Sequence, residues 1–222
     1  MPNEPIVASD TPVCFVGGAA IADHAISAAI AHVSAFIGVD GGADHLLAAS
    51  VIPAAVVGDL DSLSDQARST FADQLCHVPE QSTTDFEKAL VRVAAPLVLA
   101  LGFTGGRIDH TLSVLNVMAR FWDRAIVLAD HNDACFVARR GRTGFHAAQD
   151  TRISLMPLGD ATVSLSGVVW PFAATQMTPN GFTSPSNAAL GGQVAIQTDG
   201  PVLVTLPRPL LPTALQAAVR AV

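Results

Sequence analysis

The chain has 222 residues, half of them hydrophobic, with a mean hydropathy of +0.43, which is material for a sizeable core and excludes wholesale disorder. Only 14% of residues are charged, below the roughly 25% usual in soluble proteins; the net charge is −7, and residues 1–110 hold 13 acidic against 4 basic side chains while residues 111–222 hold 6 against 8. The absence of a Lys/Arg stripe argues against a nucleic-acid partner, no run of about 20 apolar residues offers a membrane span, and the acidic half suits a hard cation such as Mg²⁺. So little charge also points to surface buried in an oligomer.

The N-terminal stretch Met1 to Asp10 is acidic and has no basic region ahead of an apolar one, so no secretory signal is expected. Cys14, Cys76 and Cys135 match neither a disulfide framework nor a zinc site, which predicts reduced thiols in a cytoplasmic protein.

Through the first 140 residues short apolar runs alternate with helical spacing. Val13 to Val16 reads as a strand, Asp23 to Ala35 as a helix with Ile26, Ile30 and Val33 on one face, and Phe36 to Val39 as a strand stopped by Asp40-Gly41-Gly42. A helix from Ala43 to Ser50 follows, then strands at Ala54 to Val57 and Leu75 to Val78, a helix from Thr84 to Ala95, a strand at Leu97 to Leu101, a helix from Asp109 to Trp122 and a strand at Ala125 to Leu128. Continuous apolar strands alternating with helices predict a parallel sheet covered on both faces. After about residue 145 the runs Ile153 to Met156, Ala161 to Leu165, Val194 to Gln197 and Val202 to Leu206 are short, partly alternating and punctuated by Gly, Pro, Asp and Asn, the pattern of a small antiparallel sandwich or barrel. The segment Ala138 to Gly144 is the natural boundary, and the tail Pro212 to Val222 has the spacing of a short helix. The expected organisation is an α/β domain over 1–142 and a β domain over 143–222.

In doubly wound sheets ligands bind beyond the carboxyl ends of the strands, and here those ends carry Asp and Gly. In Gly58-Asp59-Leu60-Asp61-Ser62 the two carboxylates, spaced i and i+2, share a side of an extended chain. Two close carboxylates repel unless a cation or a proton lies between them, and Mg²⁺ held by one or two carboxylates and by substrate phosphates satisfies that. The competing reading is an Asp-rich turn in which Asp61 or Ser62 caps the next helix. Thr84 and Glu87 have capping-box spacing, placing Asp85 in a first helical turn where the dipole favours its charge. Gly105-Gly106-Arg107 joins flexible backbone to a guanidinium suited to phosphate oxygens, with Asp109 capping a helix and His110 in its first turn. Of seven histidines only His45 and His110 fall near strand ends. No P-loop and no Gly-x-Gly-x-x-Gly follows the first strand, and Lys88 is the only lysine, so ATP, if used, is held without a P-loop. No serine has nucleophile-elbow context. Trp170, beside Pro171, is either core or a flat face for a cationic ring.

Taken together these residues resemble the thiamine pyrophosphokinase (thiamine diphosphokinase) family. The resemblance runs through Val39 to Leu46, Gly58 to Leu63, Gln81 to Lys88, Gly105 to Leu112, Trp170-Pro171 and Ser184-Pro185-Ser186-Asn187, in family order. It implies a Rossmann-like ATP-binding domain followed by a β-sandwich that contributes to a thiamine site, a homodimer, and transfer of pyrophosphate from ATP to the thiamine hydroxyl with release of AMP. It further implies Mg²⁺ on Asp59, Asp61 and Asp85; neutralisation of the transferring group by Arg107 with Gly105 and Gly106; a nucleotide pocket shaped by Asp40, Gly41, Gly42, Thr84, Asp109 and His110; and thiamine contacts from Trp170, Ser186, Asn187 and Gln81. One of the carboxylates, Asp85 first, is the implied acceptor of the hydroxyl proton. Where the family usually has Asp-Gln-Asp this chain has Glu80-Gln81-Ser82, keeping one charge and losing one carboxylate; Asp44 stands where many relatives carry Asn. The alternatives are a Mg²⁺-dependent pyrophosphokinase for another heterocyclic alcohol of pterin type, or a non-catalytic thiamine or nucleotide sensor.

Overall fold

A computed structural model describes residues 4–219. The chain is α/β and divides into two compact units, Met1–Val117 and Met118–Val222.

The first unit contains β1 (Val7–Ala8), β2 (Val13–Val16), α1 (Ala25–Ala29), β3 (Ala35–Val39), α2 (Gly42–Ala48), β4 (Ala55–Gly58), α3 (Asp65–Thr70), β5 (Leu75–His77), α4 (Asp85–Leu90), β6 (Val93–Ala94), β7 (Val98–Leu101) and α5 (Ile108–Arg120), whose last turn runs past Val117. Five strands lie in the order β7-β2-β3-β4-β5, and β2–β7, β2–β3, β3–β4 and β4–β5 are all parallel. All four residues of each of β2, β4 and β7 are buried, which is why these strands read as unbroken apolar runs.

Two helices are shorter than their spacing predicts. The run from Asp23 to Ala35 is helical only over Ala25–Ala29, because Ala35 already pairs with Val13 and the Ser34 N–H already donates to the Pro12 carbonyl at 2.9 Å. Ile30, predicted on the buried face, is 56% exposed. The run from Thr84 to Ala95 stops at Leu90, since Val93 and Ala94 are drawn into a parallel pair with Val7 and Ala8. In both, tertiary pairing overrides a local helical pattern.

The second unit contains β8 (Ile126–Ala129), β9 (Asp133–Ala138), β10 (Gly141–Ala147), β11 (Arg152–Pro157), β12 (Ala161–Ser166), β13 (Phe172–Met177), β14 (Ser184–Ala188), β15 (Gly192–Thr198), β16 (Val202–Pro207) and α6 (Leu211–Val219). One antiparallel set runs β8-β9-β16-β11-β14 and a second runs β10-β15-β12-β13. The segment Ala138 to Gly144, read as a boundary, enters β10 at Gly141. There Thr143, Phe145 and Ala147 are buried while Arg142 and His146 face outward. The tail helix is present to Val219; the rest of its predicted span lies outside the described residues, as do the first three residues of the acidic N-terminus. Cys14, Cys76 and Cys135 form no disulfide among the described residues, and no described helix is long and apolar enough to cross a membrane.

Candidate active site

The site is built where two parallel strands of the first unit end and a helix begins. Asp40 follows β3, Gly58 ends β4 with Asp59 beside it, and α4 starts at Asp85. The three elements crowd together at Gly58, where a Cβ would lie 3.0 Å from the Cβ of Asp40 and 3.2 Å from Oδ1 of Asp85. A Cβ there would be tighter than ordinary van der Waals contact on both sides, and glycine leaves the two acidic residues room to approach.

Asp40, Asp59 and Asp61 each offer a carboxylate oxygen within 4.8 Å of the others. Asp40 thus stands among the acids, beyond the nucleotide-pocket role implied for it. Its Oδ1 is buried without a hydrogen-bond partner. Burial pushes its carboxyl above the usual carboxylate range, and the charges of Asp85 and Asp61 push the same way against hydrogen bonds from Gly41 and Ser62. A desolvated acceptor facing two further carboxylates is an unsatisfied arrangement, and an all-oxygen acidic set is what a hard divalent cation takes. The residues present therefore fit Mg²⁺.

Asp59 and Asp61 converge by a different route from the extended chain assumed from their spacing. Leu60 between them is left-handed, with φ 64°, and the turn folds the Asp61 N–H onto Asp59 Oδ1 at 3.3 Å. Neither Asp61 nor Ser62 caps the next helix. Ser64 does, its Oγ accepting from the Ala67 N–H at 3.1 Å, while the Ser62 hydroxyl donates to Asp61 Oδ1 at 2.9 Å.

Asp85 lies outside the close triad but beside it. Its Oδ1 accepts from the Asp59 N–H at 3.2 Å and from Lys88 Nζ at 2.9 Å. Lys88, 2% exposed, also lies 3.6 Å from Asp59 Oδ2. Burial acts to lower the Lys88 ammonium, but the hydrogen bond and charge of Asp85, with the charges of Asp59 and Glu80, outweigh it and hold it above its ordinary value. Sequence reasoning assigned Lys88 no role. The signal was there: a sole lysine one helical turn after Asp85, the i, i+3 spacing that places two side chains together.

Gln81, implied as a thiamine contact, donates from Nε2 to Asp59 Oδ2 at 3.0 Å. That bond is the first reason the Asp59 carboxyl lies below its usual range, with Lys88 adding to it against the opposing effect of burial. The capping spacing is realised in Thr84, whose Oγ1 accepts from the Glu87 N–H at 3.3 Å at the start of α4.

Arg107 and Asp109 turn to each other, Nη2 to Oδ2 at 2.6 Å and Nε to Oδ1 at 3.2 Å, both exposed. This hydrogen bond is the main cause that raises the guanidinium and lowers the carboxyl. Asp109 is the second residue of α5, not its cap, and His110 is exposed. Gly105 takes φ 80° and a Cβ there would meet nothing within 4 Å, so this loop has room for a ligand. Gly42 has none to spare: a Cβ would fall 1.8 Å from the Val16 carbonyl oxygen.

In the second unit Trp170 is 63% exposed, which removes the core reading. Its backbone is clamped by Asn187, which is 2% exposed: the Trp170 N–H donates to Asn187 Oδ1 at 3.2 Å, and Asn187 Nδ2 donates to the Trp170 carbonyl at 2.8 Å. Asn187 is thus a support for the tryptophan loop. Ser186 is left-handed at φ 55°, exposed, and donates its N–H to Ser154 Oγ at 2.9 Å. Pro171 and Phe172, the next two residues, wall a hollow of about 610 Å³ on the second antiparallel sheet.

Two family models match the chain, thiamin pyrophosphokinase, catalytic domain over residues 26–129 and thiamin pyrophosphokinase, vitamin B1 binding domain over residues 145–203. Thiamine pyrophosphokinase 1 of Arabidopsis thaliana is 27% identical over 175 residues, covering 69% of this chain and 65% of that relative; the match spans less than two thirds of the plant protein. Thiamine pyrophosphokinase of Bacillus subtilis (strain 168) is 36% identical over 90 residues, 37% of this chain and 42% of that one. Among solved structures, thiamin pyrophosphokinase from Candida albicans superposes with a TM-score of 0.79 at 15% identity over 94% of both chains. Yeast thiamin pyrophosphokinase does so with 0.75 at 17% identity, over 97% of this chain and 90% of that one. Those two likenesses are of fold. With both family models in their places along most of its length, the chain belongs to the thiamin pyrophosphokinase family.

Proposed function

We propose that this protein transfers the pyrophosphoryl group of ATP to the hydroxyl of thiamine, giving thiamine diphosphate and AMP. The hydroxyl oxygen bonds to the β-phosphorus, the bond from that phosphorus to the oxygen bridging to the α-phosphorus breaks, AMP leaves with the electron pair, and the hydroxyl proton passes to a base. The observation that carries this reading is the convergence of Asp40, Asp59 and Asp61 within 4.8 Å, with Asp85 and Lys88 joined to Asp59. Such a group, in a family of this name, is equipped to handle a polyphosphate through a cation.

Transfer of this kind depends on positioning and charge neutralisation more than on covalent help. In this reading Asp59 and Asp61 with Asp40 would hold Mg²⁺, and Asp85 stands beside them through its bond to the Asp59 N–H. The cation supplies charge neutralisation for the triphosphate. Asp85 Oδ2, which takes part in neither the Lys88 nor the Asp59 bond, orients the hydroxyl and accepts its proton. Arg107 leaves Asp109, an exposed pair worth little, for the transferring group, with the Gly105 and Gly106 amides beside it. Asp109, His110, Gly41, Gly42 and Thr84 border the nucleotide, and Trp170 stacks on the thiamine rings with Ser186 nearby. The division into a Rossmann-like catalytic domain over 1–142 and a β-sandwich over 143–222 is supported by the spans of the two family models, although the compact units divide earlier, after Val117; a cytoplasmic homodimer is supported by cysteines outside disulfides and by the low charge.

Incubation with MgATP, with and without thiamine, followed by chromatography tests the reading. Thiamine-dependent AMP equal to thiamine diphosphate is expected, and Asp59→Asn and Asp61→Asn should each lower turnover at least about a hundredfold. ADP with thiamine monophosphate would overturn the mechanism, and full activity in both variants would overturn the metal assignment.

A further inference from the structure

The carboxylate turn contains a residue in a conformation its type seldom takes. Leu60, at φ 64°, lies in the left-handed region, which the Cβ of an L residue makes unfavourable and which glycine or asparagine would occupy at less cost. Such a residue persists only where its surroundings over-determine it, and two interactions do so here. The Leu60 side chain, 3% exposed, is sunk in a cluster with Ala43, Val56, Leu63, Ala67 and Phe71. Its carbonyl oxygen accepts a hydrogen bond from Arg68 Nη2 at 2.5 Å.

Arg68 is itself anchored. It lies on α3, whose first turn is capped by Ser64, and the Ser64 N–H and hydroxyl both donate to the Asp44 carboxylate on α2. Among the described residues Arg68 pairs with no carboxylate. A guanidinium left to itself beside an acidic group would be expected to reach for one of the acids; this one is spent on a backbone carbonyl. The effect of that carbonyl bond and the buried leucine together is to keep residue 60 out of the extended region. Extended, the chain would keep Asp59 and Asp61 on one side but hold their backbones about 7 Å apart; left-handed, it folds the Asp61 N–H back onto Asp59 Oδ1, in the arrangement that places both carboxylates in reach of Asp40.

We propose that Leu60 and Arg68 are positioning residues that set the spacing of the Asp59 and Asp61 carboxylates and thereby the affinity of the site for a divalent cation. This rests on the reading that Asp40, Asp59 and Asp61 hold that cation. Neither residue touches substrate; each acts through the turn.

The test is Mn²⁺ binding to the full chain, with Mn²⁺ alone as the probe and free ion counted by electron paramagnetic resonance, alongside thermal unfolding and the KM values for ATP and thiamine. Arg68→Met keeps the aliphatic stem and removes the donors. It is expected to weaken Mn²⁺ binding about tenfold, the scale of losing a group that orients a metal ligand, with the thiamine KM unchanged. Arg68→Lys, which restores a single donor, should recover part of that loss, and decides the matter alone if Arg68→Met does not fold. Leu60→Met, which keeps an apolar anchor, should bind Mn²⁺ nearly as the parent does, while Leu60→Ser should not. Parent-like Mn²⁺ affinity in Arg68→Met, or a raised ATP KM without any change in Mn²⁺ affinity, overturns the positioning role and leaves the metal site standing. Absence of saturable Mn²⁺ binding in the parent that Asp61→Asn abolishes overturns the cation reading, and this proposal with it.

Discussion

At the scale of single residues, the most informative departure from the family pattern is Ser82. It puts a hydroxyl where the family usually has a carboxylate. In the structure it is a donor: the Ser82 N–H and hydroxyl bind Glu80 Oε2 at 2.8 and 2.6 Å, the Thr83 N–H binds the same oxygen at 3.1 Å, and the Thr83 hydroxyl binds Oε1. These bonds, the Ser82 hydroxyl first, pull the Glu80 carboxyl down to about 2. Because the folded value lies below the ordinary glutamate value of 4.5, the charged carboxylate holds the loop fully above about pH 4.5 and progressively less as the pH falls through about 2. Carbon-13 NMR should find the Glu80 midpoint near 2 in the parent and at least about one unit higher in Ser82→Ala. Ser82→Asp, which restores the family's residue type, should lower turnover severalfold, because a second carboxylate beside Glu80 repels it and the loop that aims Gln81 at Asp59 opens. Higher turnover in Ser82→Asp would show that the missing carboxylate matters more than the clamp.

At the scale of elements, the strand ends were legible because buried parallel strands are apolar runs that stop abruptly at Asp and Gly. That is how Asp40 and Asp59 could be assigned to one edge. The convergence of Asp59 with Asp61 was legible as an outcome but not as a geometry, since nothing in Gly58-Asp59-Leu60-Asp61 announces a left-handed leucine; that Asp40 joins them was not legible. The strand β10 was illegible for the opposite reason: Gly141, Arg142 and Gly144 mask the alternation of Thr143, Phe145 and Ala147, which only pairing with β15 brings out. The glycines at the strand ends divide by what surrounds them. Gly42 opens α2 against the end of β2, and a Cβ there would meet backbone, the Val16 oxygen at 1.8 Å and its carbon at 2.4 Å. Gly42→Ala should therefore cost about 3 kcal/mol or more in urea unfolding, since neither backbone segment can step aside. Gly106→Ala, whose Cβ would lie 3.6 Å from that of Ala19, should change stability by less than about 0.5 kcal/mol. Equal effects would mean that α2 is free to shift off β2.

At the scale of the whole molecule, the chain puts its acids and its exposed tryptophan in different units. The carboxylates, Gln81 and Lys88 belong to Met1–Val117, and Trp170, Ser186 and Asn187 to Met118–Val222. Metal affinity and thiamine affinity should then be separable by mutation. Asn187 is the sharpest probe, because it is buried, carries no charge, and joins Trp170 through both its oxygen and its nitrogen. Asn187→Ala leaves the Trp170 N–H and carbonyl to water and frees the loop that presents the indole. Because the loop is exposed, water can replace the lost bonds, and the expected cost in stability is about 1–2 kcal/mol. Thiamine binding should suffer more: if Trp170 stacks on the cationic ring, loosening its backbone should raise the thiamine KM about tenfold or more, as Trp170→Ala should. Mn²⁺ binding to the acids should stay within about twofold of the parent. Asn187→Asp keeps the acceptor for the Trp170 N–H and places a negative oxygen against the Trp170 carbonyl, so it should raise the thiamine KM at least as far. A thiamine KM unmoved in Asn187→Ala and Trp170→Ala alike would take thiamine recognition away from this loop, and a parallel loss of Mn²⁺ binding would show that the two functions are not divided between the units at all.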